Sequence, residues 1–170
     1  MALLVIMLAA CGSPNGDGGV PAETAGPSRP NVLLIVVDDM GYADLGSFGS
    51  EIPTPNLDDL ALSGVRLTRF ITSPACSPTR AALLTGVDPH RAGFGNLAEE
   101  LAPNQQDQPG YEGYLNERVV TVATLLQDAG YRTYMTGKWH LGVDRRASPP
   151  ARGFDRSFAM LKNASHFADM

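Results

Sequence analysis

The chain has 170 residues, of which 44% are hydrophobic and 18% charged, so it is long enough to bury a hydrophobic core. Its formal net charge is −5, and its 13 Lys and Arg residues are dispersed along the sequence. Because no basic patch forms, the charge distribution argues against a nucleic-acid partner.

Residues 1–10 form an apolar run that is too short to span a bilayer and leads to Leu-Ala-Ala-Cys at 8–11. This pattern is typical of a lipoprotein signal in which Cys11 carries the lipid. An ordinary secretory signal or a buried first strand would give a similar run. We expect residues 1–11 to be a lipoprotein signal and residues 12–30, which are poor in large apolar side chains, to be a flexible linker. Residues 31–170 then form the folded part.

Residues 31–39 read Asn-Val-Leu-Leu-Ile-Val-Val-Asp-Asp, without polar alternation in the aliphatic part. This predicts a strand buried on both faces, at the centre of a mainly parallel sheet flanked by helices. Asp38 and Asp39 stand at its carboxyl end, where such sheets bind ligands. Both carboxylates can reach one ion only if the strand ends here, which Gly41 permits. They suit Ca²⁺ or Mg²⁺, although such acids also commonly end a strand and solvate a loop.

A short helix is predicted from Thr54 to Ala61, because Pro55 occupies its first position and Ser-Gly at 63–64 ends it. The apolar and Thr-rich residues 65–72 predict a second strand. Residues 31–86 therefore indicate a β-α-β-α order, which is typical of an α/β fold.

The second strand leads to Cys76, which we place at the start of a helix that Gly86 ends. The free N–H groups and the dipole of that helix end favour an anion, and Arg80 lies one turn on, on the same face. A buried cysteine beside a surface arginine is the simpler alternative. Cys11 and Cys76 are the two cysteines of the sequence, so lipidation of Cys11 would leave Cys76 without a disulfide partner in the chain.

Residues 86–117, rich in Gly, Pro, Asn and Gln, predict a surface loop near the site entrance. An amphipathic helix follows at 119–129, and a strand begins at Tyr131. Lys138 and His140 come after it, two residues apart, and would share a face if the extended geometry persists. Such a pair offers an anion contact and a proton carrier, or is merely a solvated strand end.

Three blocks together resemble the type I sulfatases, and most closely bacterial arylsulfatases. They are Val-Asp-Asp-Met-Gly-Tyr at 37–42, Cys-Ser-Pro-Thr-Arg at 76–80 with Leu-Thr-Gly at 84–86, and Gly-Lys-Trp-His-Leu-Gly at 137–142. The likeness covers most of residues 31–158. It implies an α/β fold of the alkaline phosphatase and sulfatase type, incomplete in this chain. Family members are longer and carry a later Asp-Asn metal pair, a second His and a second Lys, which have no counterpart here.

The resemblance also implies cofactors. Cys76 would be oxidised to formylglycine by a formylglycine-generating or sulfatase-maturating enzyme. One hydroxyl of the aldehyde hydrate would attack sulfur, and the other would later expel sulfate. Asp38, Asp39 and the modified Cys76 would hold one Ca²⁺ in preference to Mg²⁺.

The other matched residues take the remaining roles that the resemblance implies. Arg80 and Lys138 would neutralise the diol and the developing oxyanion, and His140 would orient or deprotonate the diol. The expected activity is hydrolysis of a small-molecule or glycan sulfate ester, with this amino-terminal part inactive alone. The alternatives are a formylglycine-dependent phosphonate or phosphodiester hydrolase and a non-catalytic incomplete lipoprotein. Because Gly12 is not an acidic retention signal, we expect a periplasmic protein anchored in the outer membrane.

Overall fold

A computed structural model describes residues 3–7 and 29–162. The chain divides between residues 72 and 73 into two compact units, and each is described by itself. The predictions for Cys11 and for most of the linker lie outside the described residues. The strands are β1 Leu3–Met7, β2 Val32–Val36, β3 Tyr134–Lys138 and β4 Arg156–Met160, and the α-helices are α1 Pro55–Ser63, α2 Cys76–Thr85, α3 Pro89–Ala92 and α4 Val122–Asp128. Short 3-10 turns cover Tyr42–Asp44, Gly46–Phe48, Ala98–Glu100, Arg145–Ala147 and Pro150–Arg152.

The first unit contains the predicted apolar strand, but its surroundings differ from the prediction. Strand β2 pairs antiparallel with β1, with Leu3 opposite Val36. Burial on both faces was expected, yet the side chains of Val32, Leu33 and Ile35 are exposed. An apolar run specifies a strand, whereas the neighbours that bury it come from other parts of the fold.

Helix α1 is confirmed, with Pro55 in its first turn and Gly64 after its end. Thr54 does not cap it through its side chain. Its hydroxyl instead accepts from the Gly46 N–H over 2.9 Å and donates to the Asp58 carboxylate over 2.8 Å. These bonds tie the helix start to the preceding 3-10 turn.

The second strand predicted at 65–72 is wrong, because this segment is irregular in the structure. The side chains of Val65 and Ile71 are 80% and 90% exposed. A strand is stable only when its N–H and C=O groups pair with a neighbouring strand. The described residues show no such pairing for this segment.

The second unit contains a parallel pair, β3 with β4, in which Tyr134 lies opposite Arg156 and Lys138 opposite Met160. Trp139 follows β3 directly and is fully buried. Its indole nitrogen donates to the Ala147 carbonyl over 2.8 Å. The core around it contains Ala81, Ala92, Phe94, Leu115, Val119, Trp139 and Leu141. This packing fixes the end of β3.

The surface loop expected at 86–117 is partly wrong. It contains α3, and it buries Phe94 and Leu115 in the core. The Leu115 N–H donates to the Leu141 carbonyl over 2.9 Å, and the Gly113 N–H donates to the Gly93 carbonyl over 3.0 Å. The segment is therefore packed beside the end of β3.

Helix α4 is shorter than the 119–129 helix predicted from the sequence. Thr121 is its N-cap and accepts from the Thr124 N–H over 3.2 Å, which makes the helix begin at Val122. Gly130 follows its end with a φ of 84°. Among the described residues, none of the helices has the length and apolarity needed to cross a membrane.

Candidate active site

Helix α2 begins at Cys76, as predicted from the sequence, and Gly86 ends it in the left-handed conformation. The Thr79 N–H donates to the Ala75 carbonyl over 3.2 Å, and the Thr79 hydroxyl donates to the Ser73 carbonyl over 2.9 Å. These bonds fix the first turn. The half-buried Cys76 therefore stands at a helix N-terminus, where backbone N–H groups and the dipole favour an anion.

Two side chains of α2 attach the helix to the backbone at residues 138–140. The fully buried Ser77 donates its hydroxyl to the His140 carbonyl over 2.9 Å. Arg80 donates Nε to the Trp139 carbonyl over 2.8 Å and a terminal nitrogen to the Lys138 carbonyl. The structure thus joins two motifs, 58 to 63 residues apart, into one cluster. We call this arrangement the α2 clamp.

The contacts of Arg80 show a structural role that the sequence did not indicate. Its charge was expected to face an anion beside Cys76, and that role stays a prediction. The fork of the guanidinium donates to two successive carbonyls, and hydrogen bonds from a charged donor are stronger than neutral ones. Arg80 is therefore held in one orientation within the cluster.

The extended geometry expected to place Lys138 and His140 on one face does not persist. Strand β3 ends at Lys138, and His140 has a φ of 54°, in the left-handed region. The chain turns here because buried Trp139 anchors it in the core while the carbonyls of residues 138–140 bind α2. Both side chains still belong to the cluster, since the charge of Lys138 acts on the imidazole.

His140 is 6% exposed, and its Nε2 lies 3.1 Å from a carboxylate oxygen of Glu99. Burial, which disfavours the charged imidazolium, is the main reason that the pKa of His140 is lowered. The Glu99 charge opposes this effect, while Lys138 and Arg80 add to it. A lowered pKa keeps the imidazole neutral near pH 7, the form that can accept a proton.

Two residues of this cluster were missed by reasoning from the sequence. In the sequence, Ser77 is only one residue of the motif at 76–80, and Glu99 falls in the segment predicted to be a surface loop. A buried partner for Ser77 cannot be inferred from local sequence because it is 63 residues away. An acidic Glu-Glu pair in a loop is an equally weak signal, since most such pairs are solvated.

Asp38 and Asp39 lie in the turn after β2, in the first unit, and both are exposed. The strand ends before them, as the shared-ion prediction requires, and Asp39 has a φ of 57°. The Gly41 N–H donates to the Asp44 carboxylate over 2.6 Å and closes the next turn. The predicted metal role of the two aspartates stays a prediction.

The donor chemistry of this turn fits a hard cation, because it presents two successive carboxylates. Ca²⁺ takes six to eight oxygen ligands, so two aspartates form part of a ligand set. Among the described residues there is no group of three or more His, Cys, Asp or Glu residues that could hold a metal. Asp38 and Asp39 would thus need further ligands.

Comparison with known proteins gives the family. The model of the sulfatase family matches residues 30–170. An uncharacterised sulfatase of Schizosaccharomyces pombe is 52% identical over 150 residues, which are 86% of this chain and 27% of that protein. An arylsulfatase of Klebsiella aerogenes is 46% identical over 149 residues, which are 87% of this chain and 32% of that protein. The chain therefore spans about a quarter to a third of the curated relatives that it matches.

Solved structures agree with this result. A sulfatase from Pseudoalteromonas sp. superimposes with a TM-score of 0.61 at 36% identity, covering 75% of this chain and 25% of that one. The structure of Ps i-CgsB in complex with k-i-k-neocarrahexaose gives a TM-score of 0.57 at 34% identity, covering 74% of this chain and 27% of that one. The predicted α/β fold class is confirmed, and the chain matches the amino-terminal portion of its arylsulfatase relatives. This chain belongs to the sulfatase family.

Proposed function

We propose that the full-length protein hydrolyses sulfate monoesters, using Cys76 after its conversion to formylglycine. The observation that carries this proposal is the α2 clamp, in which Ser77 and Arg80 hold the backbone of residues 138–140 against the helix that starts at Cys76. An anion-favouring helix end, two cations and a neutral imidazole then belong to one cluster. These are the groups that transfer of a charged sulfuryl group requires.

The side chains of the cluster divide the work as follows. The N–H groups at the start of α2 and the charges of Arg80 and Lys138 bind the sulfate and offset the negative charge that grows on it. The buried, neutral His140 accepts a proton from the hydroxyl of the modified residue 76. Burial of Ser77 and Trp139 keeps the carbonyls of the turn directed at α2, which fixes the position of the imidazole.

Asp38 and Asp39 are the residues of this chain that would hold Ca²⁺, together with the modified residue 76 and ligands from the rest of the protein. When bound, the ion supplies Lewis-acid polarisation of a sulfate oxygen. The carboxylates themselves contribute hard oxygen donors and two negative charges, which select a divalent cation over a monovalent one.

We infer that the substrate is a sulfate ester carried by a small molecule or a glycan. Ps i-CgsB is a structural neighbour of this chain, and its solved complex with k-i-k-neocarrahexaose supports the glycan class. The unmodified cysteine also requires a maturation enzyme as a partner. Turnover of an aryl sulfate with release of inorganic sulfate would agree with this function, whereas turnover of phosphonate monoesters alone would contradict it.

The decisive experiment distinguishes formylglycine from a cysteine thiolate as the nucleophile. In the active full-length protein, the peptide that contains residue 76 should be lighter than its cysteine form and should react with a hydrazine-type aldehyde probe. Thiol alkylation should leave activity intact, because no thiolate takes part. Cys76→Ser should at best form a sulfated enzyme that does not turn over. An unmodified, alkylatable Cys76 in fully active enzyme would refute the mechanism.

We further propose that the protein is exported and anchored in the outer membrane, facing the periplasm, through a lipid on Cys11. The apolar run followed by Leu-Ala-Ala-Cys at 8–11 supports the anchor, and the residue after Cys11 is Gly12, which is not acidic. Cys11→Ser should move the protein from the membrane fraction to the soluble fraction. Unchanged fractionation would count against the anchor.

A further inference from the structure

The contact between Glu99 and His140 links two distant parts of the second unit. Glu99 belongs to the 3-10 turn Ala98–Glu100, and 41 residues separate it from His140. Its two carboxylate oxygens lie 3.1 and 3.4 Å from Nε2 of the imidazole. A carboxylate with both oxygens this close to Nε2 determines which ring nitrogen carries the proton.

A carboxylate can only accept hydrogen bonds, so Nε2 of His140 must be the nitrogen that carries hydrogen. In the neutral imidazole Nδ1 is then unprotonated. Nδ1 is buried and, among the described residues, has no hydrogen-bond partner. A buried acceptor without a partner is costly, and it is commonly explained by a functional role.

The position of Glu99 is set by its own turn. The Asn96 side-chain amide donates to the Glu100 carbonyl over 3.0 Å and to the Gln105 side-chain oxygen over 3.1 Å. The Leu97 N–H donates to the Asn96 side-chain oxygen over 2.8 Å. These bonds hold the turn in shape, so the carboxylate is presented from a defined backbone.

We propose that Glu99 is a positioning residue that holds His140 as the Nε2–H tautomer and so presents Nδ1 as the proton acceptor of the site. The inference rests on the proposed function, because it assigns Nδ1 a proton from the reaction. The charged groups that act on the imidazole are Glu99, Lys138 and Arg80. Of these three groups, only Glu99 can accept a hydrogen bond from Nε2–H.

The burial of His140 and the two nearby cations lower its pKa, so the ring is neutral near pH 7. In a neutral ring the identity of the protonated nitrogen decides which nitrogen can act as a base. If the tautomer were free to change, part of the population would carry hydrogen on Nδ1 and would be inactive. Glu99 removes that inactive population.

The test compares three variants of the full-length protein labelled with ¹⁵N-histidine. Glu99→Ala removes the acceptor, Glu99→Gln keeps an acceptor oxygen without the charge, and Glu100→Ala removes the neighbouring exposed acid as a matched control. The His140 signals are assigned with His140→Gln. The ring ¹⁵N shifts, the exchange of the Nε2 proton, and kcat and KM for an aryl sulfate are measured for each.

In the wild type we expect a protonated Nε2 with a slowly exchanging hydrogen, and an unprotonated Nδ1. Glu99→Ala should move both shifts towards those of a tautomer mixture, expose the Nε2 proton to exchange, and lower kcat by roughly 10- to 100-fold with little change in KM. Glu99→Gln should restore the tautomer and most of kcat. Glu100→Ala should match the wild type.

Wild-type ¹⁵N shifts in Glu99→Ala would overturn the proposal, even if kcat fell, because the loss would then be merely structural. Equal impairment of Glu99→Gln and Glu99→Ala would overturn it as well. Failure of the proposed function is a separate result. A protein without formylglycine or sulfatase activity would still show whether Glu99 sets the tautomer, because the spectra do not depend on turnover.

Discussion

Replacement of Ser77 by Ala tests the α2 clamp directly. Ser77 is fully buried, and its hydroxyl donates to the His140 carbonyl over 2.9 Å. Ala keeps the helix and removes only the hydroxyl. Cys76 and Arg80 are unchanged, so the variant tests the Ser77 bond of the clamp by itself.

The expected cost follows from these contacts. Leaving a buried carbonyl without its donor costs about 1–3 kcal/mol. Ala is a better helix former than Ser by up to about 0.5 kcal/mol, which offsets part of the loss. Arg80 still binds the carbonyls of Lys138 and Trp139, so the turn is loosened but not released. The net local destabilisation should be about 1–2 kcal/mol, which corresponds to roughly 5- to 30-fold.

Hydrogen exchange in the full-length protein measures this loss where it arises. The peptide that covers residues 138–142 should exchange roughly 5- to 30-fold faster in Ser77→Ala. Ser148→Ala is the matched control, because the Ser148 hydroxyl also donates to a backbone carbonyl, that of Arg145 over 2.7 Å, but locally and in an exposed place. Its effect should stay within about 0.5 kcal/mol. Unchanged exchange at 138–142 in Ser77→Ala would refute the clamp.

Two further predictions concern packing and completeness. Gly153→Ala should destabilise the full-length protein by about 2–5 kcal/mol. A Cβ there would lie 2.6 Å from the Thr124 Cα, an overlap that costs about 1–3 kcal/mol, and alanine would also have to adopt a φ of 89°, which costs about 1–2 kcal/mol. Gly86→Ala is the control, because Gly86 has a φ of 69° and a Cβ there would meet nothing within 4 Å. It should cost only the left-handed backbone conformation, about 1–2 kcal/mol. A larger fall in Tm for Gly86→Ala than for Gly153→Ala would contradict the steric argument. Purified residues 31–170 alone should be poorly soluble or molten, because β2 exposes apolar side chains, and they should not turn over an aryl sulfate. A cooperative thermal transition together with activity would disprove this prediction.

Local signals in the sequence predicted elements well where the determinants lie within a few residues. Pro55 and Gly64 delimit α1, and Gly86 ends α2 as expected. The start of α4 was missed by one turn, because the N-cap bond of Thr121 competes with the apolar periodicity that suggested residue 119. Helix ends therefore depend on side-chain caps as well as on hydrophobic spacing.

Properties that depend on distant partners could not be predicted. Residues 65–72 have a strand-like composition, yet they form no strand, because composition does not supply a neighbour with which to pair. The left-handed backbone of His140 likewise follows from contacts with α2. The motifs mark Cys76 and Lys138 as candidates, but they do not indicate the bonds that bring their segments together.

The first turns of α2 explain why so compact a motif can organise a site. Successive helical residues point about 100° apart, so Cys76 and Ser77 cannot share a direction, whereas Cys76 and Arg80 can. The structure uses this difference: Ser77 is fully buried against the His140 carbonyl, while Cys76 remains half-buried at the helix end. Arg80 contributes its fork to the same turn of backbone. Because Cys76 and the two residues that bind the backbone of residues 138–140 lie on one helix, the spacing between them is set by helix geometry.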